Sequence, residues 1–241
     1  MENFKTCRSY WGETCKPLVN LAFVAPMLIA YEGGLILYGP QVMRNGADVW
    51  LRRLLEWIGF SQYFLLPVIT CGLLLGWHHV TRQSWKLRGS VLYGMLFESL
   101  AFGAVLLAVA HLHRSLLAIE VPASIDSLNA VHSAVAFLGA GIYEELVFRL
   151  GLLSALAATI HRLGVSRIRG LVTAITVSSL VFAAAHYRID LPWITFSGEP
   201  FIWSTFLFRF AAGVMFSVLF LFRGFGIAVG AHAIYDILVG C

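Results

Sequence analysis

Charged residues are scarce in this sequence: Asp, Glu, Lys and Arg make up 12% of its 241 residues, whereas 59% are hydrophobic. Soluble domains carry about a quarter of their residues as charged side chains, so this composition excludes a large water-soluble core. The mean hydropathy of +0.79 indicates a membrane protein. The net charge of +4 does not indicate a nucleic acid partner, because the 17 Lys and Arg residues lie mostly in short connections rather than in one patch.

Cysteine is rare as well, and its four copies form no CxxC pair: Cys7, Cys15, Cys71 and Cys241. This spacing favours neither a disulfide framework nor a zinc knuckle. The sequence also lacks GxSxG, HExxH and a glycine-rich phosphate loop, which are the local signatures of serine hydrolases, zincins and nucleotide-binding proteins. Enzymes that depend on these signatures are therefore not indicated.

Long apolar runs make up most of the chain. Seven of them are bounded by charged residues, Gly or Pro and predict transmembrane helices, at about 18–38, 60–80, 90–112, 129–158, 170–187, 201–222 and 225–240. The last run is short and follows a tight joint at Arg223 and Gly224, which leaves the count between six and eight. We therefore predict an all-α, polytopic membrane bundle of about seven helices.

Two features near the N-terminus bear on the topology of this bundle. Residues 47–59 mix Trp and Leu with Arg, a pattern typical of a helix that lies in the membrane interface. The first apolar run continues to Tyr38 without a small-x-small cleavage site, so we predict an uncleaved first span. With seven spans, the face that bears the N-terminus carries the larger share of Lys and Arg, which predicts a cytoplasmic N-terminus and an external C-terminus. We expect a bacterial inner-membrane protein.

Ionisable side chains within the apolar runs are candidate functional residues, because lipid rejects them unless they are paired or face water. They are Glu32, Glu98, Glu144, Glu145, Arg149, His186, Arg209, His232 and Asp236. Most lie in the last four spans. We interpret the other histidines near span ends, His78, His79, His111 and His113, as interfacial residues.

Three motifs place such residues one helical turn apart, on a common helix face. Glu145 and Arg149 can form an ion pair, which leaves Glu144 as a carboxylate without a local cation and suits it to general-base chemistry on water. The simpler interpretation is a buried pair that only locks helices together.

The other two motifs contribute histidines from later spans. Phe182 lies one turn before His186, with three small alanines between them, and His232 shares a face with Asp236. His186 alone is typical of an interfacial residue. The His232–Asp236 pair can orient a tautomer, bind a metal or stabilise an oxyanion, or its two members can simply hydrogen-bond to each other between packed helices. Three helices that each bring polar groups to one interior nevertheless favour a polar catalytic cavity among the last four spans.

The ordered set EExxxR (Glu144, Glu145, Arg149), FxxxH (Phe182, His186) and HxxxD (His232, Asp236) resembles the motifs of the CAAX protease and bacteriocin-processing family, also called the CPBP or Abi family. The resemblance covers about residues 129–240. It divides the chain into an N-terminal part, 1–128, with transmembrane helices and the interfacial helix, and a catalytic helical core, 129–241.

The resemblance implies an intramembrane endopeptidase and a role for each motif residue. Glu144 is similar to the catalytic glutamate, His186 to the histidine that helps it activate water, and His232 with position 236 to the pair that stabilises the oxyanion. Glu145, Arg149 and Phe182 are similar to structural positions. The prenyl-protease branch typically has Asn at the last position. An ionised Asp236 would repel an oxyanion, so it must be protonated, orient His232 or bind something else.

The predicted function is hydrolysis of a peptide bond in a membrane-anchored protein or peptide, such as a C-terminal sorting signal, a prenylated CAAX tail or a leader peptide. The resemblance and the lack of a paired-histidine motif favour a mechanism without a cofactor, although Glu144, His186 and His232 form a ligand set that zinc accepts. The alternatives are a non-catalytic scaffold or immunity protein with a degenerate protease fold, and a proton-coupled transporter. The expected partners are the substrate and the lipid bilayer, and not nucleic acid.

Overall fold

The computed structural model describes residues 10–39, 46–60, 64–117, 127–191, 194–196 and 198–240. Cys7, Cys241 and residues 61–63 of the predicted second span lie outside them. The helices are α1 (Pro17–Tyr38), α2 (Gly46–Trp57), α3 (Leu65–Val80), α4 (Gly89–Leu117), α5 (Ser127–Glu145), α6 (Ser154–Arg162), α7 (Arg167–Ala184), α8 (Trp203–Arg223) and α9 (Phe225–Gly240). The predicted helical class is confirmed. An antiparallel hairpin between α7 and α8, with strands β1 (Ile189–Leu191) and β2 (Ile194–Phe196), was not predicted.

Several helices have the length and composition of membrane spans. Among the described residues these are α1, α4, α7 and α8, while α3 and α9 are apolar but shorter. The chain is therefore an integral membrane protein, and the count of seven spans stays a prediction. The pattern over 47–59 does form a helix, α2, which leaves Trp50, Leu54 and Trp57 exposed.

The predicted long span over 129–158 is one continuous helix with an irregular middle. A π-helical segment, Leu146–Leu153, follows α5 directly and leads into α6. In a π-helix the hydrogen bonds span five residues rather than four, and such segments are often found at functional sites. Here the wider turn begins immediately after Glu144 and Glu145, so it changes the register between these residues and the rest of the helix.

Helix α9 lies at the centre of the molecule, with every residue from Phe225 to Ala233 buried. It packs against α1, α4, α5 and α8. Glycine makes these approaches close: a Cβ at Gly141 of α5 would lie 2.8 Å from the Ala233 Cβ, and one at Gly230 would clash with the Ser99 hydroxyl. The contact at Gly141 brings α5 and α9 together next to the EExxxR motif.

A buried polar network fixes the far side of α5 to the N-terminal helices. The Glu32 carboxylate accepts hydrogen bonds from the Tyr143 hydroxyl at 2.8 Å and from Arg52 at 3.2 Å. Arg52 also donates to Asp48 at 2.7 Å, and Asp48 accepts from the Tyr31 hydroxyl at 3.0 Å. Glu32 therefore has partners on two other helices, one of which is α2.

Glu98 and Arg209, two further ionisable residues within the predicted spans, also have partners of opposite charge. Arg223 donates two hydrogen bonds to Glu98, at 2.6 and 2.8 Å, and joins the start of the α8–α9 connection to α4. Arg209 donates to Glu199 at 2.8 Å.

Candidate active site

The structure brings the predicted catalytic residues together around one cavity. This cavity, of about 590 Å³, lies between α4, α5, α8, α9 and the end of α7. Glu144, His186, His232 and Asp236 all line it, together with Phe182. Its size is that of small-ligand sites in proteins. The expected convergence of polar groups from separate helices is thus present in the geometry.

Glu144 stands between the two histidines. Its Oε2 atom lies 3.6 Å from His186 Nε2 and 3.8 Å from His232 Nε2. Both separations are longer than a direct hydrogen bond, and a water molecule can bridge groups at such spacing. The carboxylate comes from the end of α5, where the α5–α9 contact places it against His232.

The backbone at the end of α7 fixes the tautomer of His186. Its Nδ1 atom lies 2.8 Å from the Phe182 carbonyl oxygen, which can only accept a hydrogen bond. Nδ1 therefore carries a proton, and when Nε2 carries none it is an acceptor that points toward Glu144. Two acceptors that face each other across 3.6 Å suit a water molecule that donates to both.

His232 is held by the predicted ion pair. The Arg149 guanidinium lies 3.1 Å from Glu145 Oε1, and the same oxygen lies 2.8 Å from His232 Nδ1. Arg149 also donates to the Gly213 carbonyl of α8 at 3.2 Å. Glu145 and Arg149 are fully buried. The pairing of Glu145 with Arg149 is confirmed, and the pair does more than lock helices because it also binds His232.

Asp236 lies on the opposite edge of the His232 ring. Its Oδ2 atom is 3.4 Å from Nε2, the nitrogen that also faces Glu144. Since Glu145 binds Nδ1, both ring nitrogens of His232 face carboxylates. This arrangement favours a protonated imidazole that can donate from both nitrogens.

Aromatic rings enclose these polar groups. Arg149 Cζ lies 4.2 Å from the centre of the Phe182 ring, and that ring makes T-shaped contacts with the rings of His186 and His232. Phe216 of α8 stacks on His232 with ring centres 4.5 Å apart. Phe216 was missed by the sequence analysis, because a phenylalanine in an apolar helix carries no signal that separates a cavity position from a lipid-facing one.

The cavity also contains basic residues that no motif had indicated: His113 and Arg114 at the end of α4 and Arg209 on α8. His113 was interpreted as interfacial, whereas the structure places it in the cavity wall. Arg209 was a candidate functional residue because it lies within an apolar run, but its partner could not be inferred from the sequence. That partner, Glu199, lies beyond the unpredicted hairpin.

The three side chains considered for zinc binding converge in a chemically suitable way. The Nε2 atoms of His186 and His232 both face Glu144, and both Nδ1 atoms are hydrogen-bonded, as is usual for histidine ligands. Within the described parts of the chain, however, no group of three or more His, Cys, Asp or Glu residues has the geometry of a metal site. The donor set therefore fits zinc by its chemistry but not by its present spacing.

Fold and site together define a helical membrane protein with a carboxylate and two histidines around an internal cavity. Residues 126–238 match a family model described as Rce1-like, type II CAAX prenyl endopeptidase. This match supports, for residues 126–238, the CAAX protease and bacteriocin-processing family that the three motifs indicated. A search of curated proteins and a search of solved structures each found no match.

Proposed function

We propose that this protein is an intramembrane endopeptidase in which Glu144, assisted by His186, activates a water molecule that hydrolyses a peptide bond of a membrane-anchored protein or peptide. The observation that carries the proposal is the position of Glu144 Oε2 between the Nε2 atoms of two histidines, at 3.6 and 3.8 Å. The family supports protease activity in general terms.

The proposed reaction begins with water that donates hydrogen bonds to Glu144 Oε2 and His186 Nε2. Glu144 accepts a proton as the water oxygen attacks the scissile carbonyl carbon. His232 then donates from Nε2 to the oxyanion, while Glu145 holds Nδ1. The proton passes from Glu144 to the amide nitrogen as the C–N bond breaks, which restores the carboxylate.

In this mechanism Asp236 is a positioning residue. Its carboxylate lies 3.4 Å from His232 Nε2 and keeps that nitrogen protonated until the substrate carbonyl arrives. An aspartate at this position therefore stabilises the oxyanion indirectly, because it favours the charged form of His232, and it does not contact the oxyanion itself.

The test is hydrolysis of a peptide library by purified protein in proteoliposomes. The library consists of pooled random peptides with an N-terminal lipid anchor, and mass spectrometry identifies the products. Glu144→Gln should lower turnover by roughly 10²-fold or more, because the amide cannot accept the proton. Glu56→Gln, an exposed change on α2, is the matched control. Folded Glu144→Gln protein with wild-type turnover contradicts the proposal, and an inactive wild type favours the scaffold.

A zinc-dependent version of the reaction is the second candidate, because Glu144, His186 and His232 present a suitable donor set. Zinc bound there would supply a Lewis acid and lower the pKa of its bound water. Elemental analysis of the purified protein, combined with the library assay after chelation, distinguishes the two versions. Stoichiometric zinc with reversible loss of activity would replace the metal-free mechanism.

We also propose the predicted topology, with seven spans, the N-terminus in the cytoplasm of a bacterium and the C-terminus outside. The distribution of basic residues among the connections supports it. Single cysteines at Val165 and Pro200, in a background without the native cysteines, test it with a membrane-impermeant maleimide. Pro200→Cys should react in intact cells and Val165→Cys only after permeabilisation; the reverse result would invert the topology.

A further inference from the structure

Two buried polar atoms in the cavity wall have no hydrogen-bond partner among the described residues. They are Nε2 of His113 and Nη1 of Arg209. Arg114, next to His113, lines the same cavity. Buried polar atoms without a partner are rare in folded proteins and typically mark the place of a water molecule or ligand. We call His113, Arg114 and Arg209 the basic subsite.

Other contacts hold the Arg209 guanidinium in place. Nη2 donates to Glu199 at 2.8 Å, and the guanidinium carbon lies 5.1 Å from the centre of the Tyr187 ring. The side chain of Glu199 is exposed, but its backbone is fixed, because the N–H donates to the His186 carbonyl at 3.0 Å. The unpartnered Nη1 therefore belongs to a side chain that is anchored to the segment bearing a proposed catalytic histidine.

The charges in the cavity are divided between two regions. The catalytic region carries the carboxylates of Glu144 and Asp236, whereas the basic subsite carries two arginines, of which Arg209 is paired with Glu199 of the cavity wall. A guanidinium matches the geometry of a carboxylate and binds it with charge-assisted hydrogen bonds. An anionic group of a bound molecule would thus be repelled from the catalytic carboxylates and attracted to the arginines.

We propose that His113, Arg114 and Arg209 bind a carboxylate of the peptide substrate and so orient the peptide in the cavity. This proposal rests on the proposed peptidase function. The carboxylate can come from the free C-terminus of the peptide or from an acidic side chain, and the two sources have the same chemistry at the subsite.

The experiment uses the same lipid-anchored peptides in proteoliposomes, prepared once with a free C-terminus and once as C-terminal amides. In each of the two pools, half of the peptides contain no Asp or Glu. We expect wild-type protein to cleave peptides that carry a carboxylate with a kcat/KM about 10- to 100-fold above those that carry none, the range expected for charge-assisted hydrogen bonds. Peptides with a free C-terminus but no Asp or Glu show whether the terminal carboxylate is recognised. Amidated peptides that contain Asp or Glu show whether a side-chain carboxylate is recognised.

Arg209→Gln and Arg114→Gln should each reduce this preference, mainly through KM, and Arg209→Lys should retain part of it. Arg167→Gln, an exposed change at the start of α7, is the matched control and should leave the preference intact. Binding of both peptide forms to the Glu144→Gln protein gives a readout independent of turnover. Weaker binding of the amidated, acid-free form supports the subsite.

Equal cleavage and equal binding of all peptide forms by a protein that hydrolyses peptides would overturn the subsite and leave the peptidase function standing. A preference that survives unchanged in folded Arg209→Gln and Arg114→Gln proteins would also overturn it. Failure of wild-type protein to cleave any peptide, with no difference in binding between the forms, would contradict both proposals.

Discussion

At the scale of single residues, the site is organised around the two ring nitrogens of each histidine. Nδ1 of His186 is hydrogen-bonded to a backbone carbonyl, and Nδ1 of His232 is hydrogen-bonded to a buried glutamate. Both rings are therefore oriented with Nε2 toward Glu144. Hydrogen bonds of this kind decide which ring nitrogens carry a proton and which nitrogen is available for chemistry. The residues beside the catalytic glutamate therefore matter through the proton positions that they impose.

Asp236 provides a first test of this organisation. Asp236→Ala should lower kcat by about 10- to 100-fold, because His232 Nε2 loses the group that keeps it protonated. Asp236→Asn should have a smaller effect, since an amide oxygen still accepts from Nε2–H. The peptide library assay measures both variants. An alanine variant as active as the asparagine variant would contradict the positioning role.

Arg149 provides a second test, this time of stability. Arg149→Met removes the cation that is paired with the buried Glu145 carboxylate and the donor to the Gly213 carbonyl, which should cost about 3–5 kcal/mol. Thermal unfolding in detergent measures the change. Arg169→Met, an exposed substitution on α7, is the control. Equal stability of the two variants would show that the buried pair contributes nothing.

The sequence indicated the motif residues that the structure brings together, but only those contacts between them that lie within one helix. Glu145 and Arg149 are spaced one turn apart, so their pairing could be inferred within one helix. The bond from Glu145 to His232 and the stacking of Phe216 depend on how α5, α8 and α9 pack. Packing is decided by many apolar contacts together, and none of them has a local pattern in a single sequence.

At the scale of secondary-structure elements, the apolar runs predicted where helices lie but not how regular they are. The run over 129–158 indicated one long helix, and its π-helical segment became visible only in the structure. A π-turn depends on the partners of carbonyls and side chains around the helix, such as the hydrogen bond that Ser178 of α7 donates to the Phe148 carbonyl at 2.8 Å. Residue propensities do not encode such partners.

The contact between α5 and α9 leads to a third prediction. Gly141→Ala places a methyl group 2.8 Å from the Ala233 Cβ and 2.9 Å from the Val229 carbonyl oxygen, so the helices must separate. We expect a loss of about 1–3 kcal/mol in unfolding free energy and a lower kcat, because Glu145 moves away from His232. Gly76→Ala in α3, where a Cβ meets open space, is the control for both measurements.

At the scale of the whole molecule, the motif-bearing half depends on the N-terminal half. Helix α9 packs on α1 and α4, and the Gly226 amide donates to the Asn20 side chain at 2.6 Å. The sequence suggested a division near residue 128 because the family resemblance begins there. The contacts show two parts that share their buried surface.

This dependence gives a fourth prediction. A fragment of residues 126–241 should fail to hydrolyse the peptide library and should aggregate on size-exclusion chromatography, because the faces of α5 and α9 that contact α1 and α4 are then uncovered. Co-expression with residues 1–125 should restore a stable complex. An active, monodisperse fragment would show that the N-terminal helices are dispensable.

The hydrogen bond from Arg149 to the Gly213 carbonyl has a consequence for the way this family can be studied. The acceptor belongs to the peptide backbone, so exchanging one side chain for another on α8 leaves it in place. Analyses of correlated substitutions among homologues will therefore find no residue that changes together with Arg149 across this contact. Mapping the link between the two helices calls for chemical replacement of the amide itself, for instance by an ester at position 213–214.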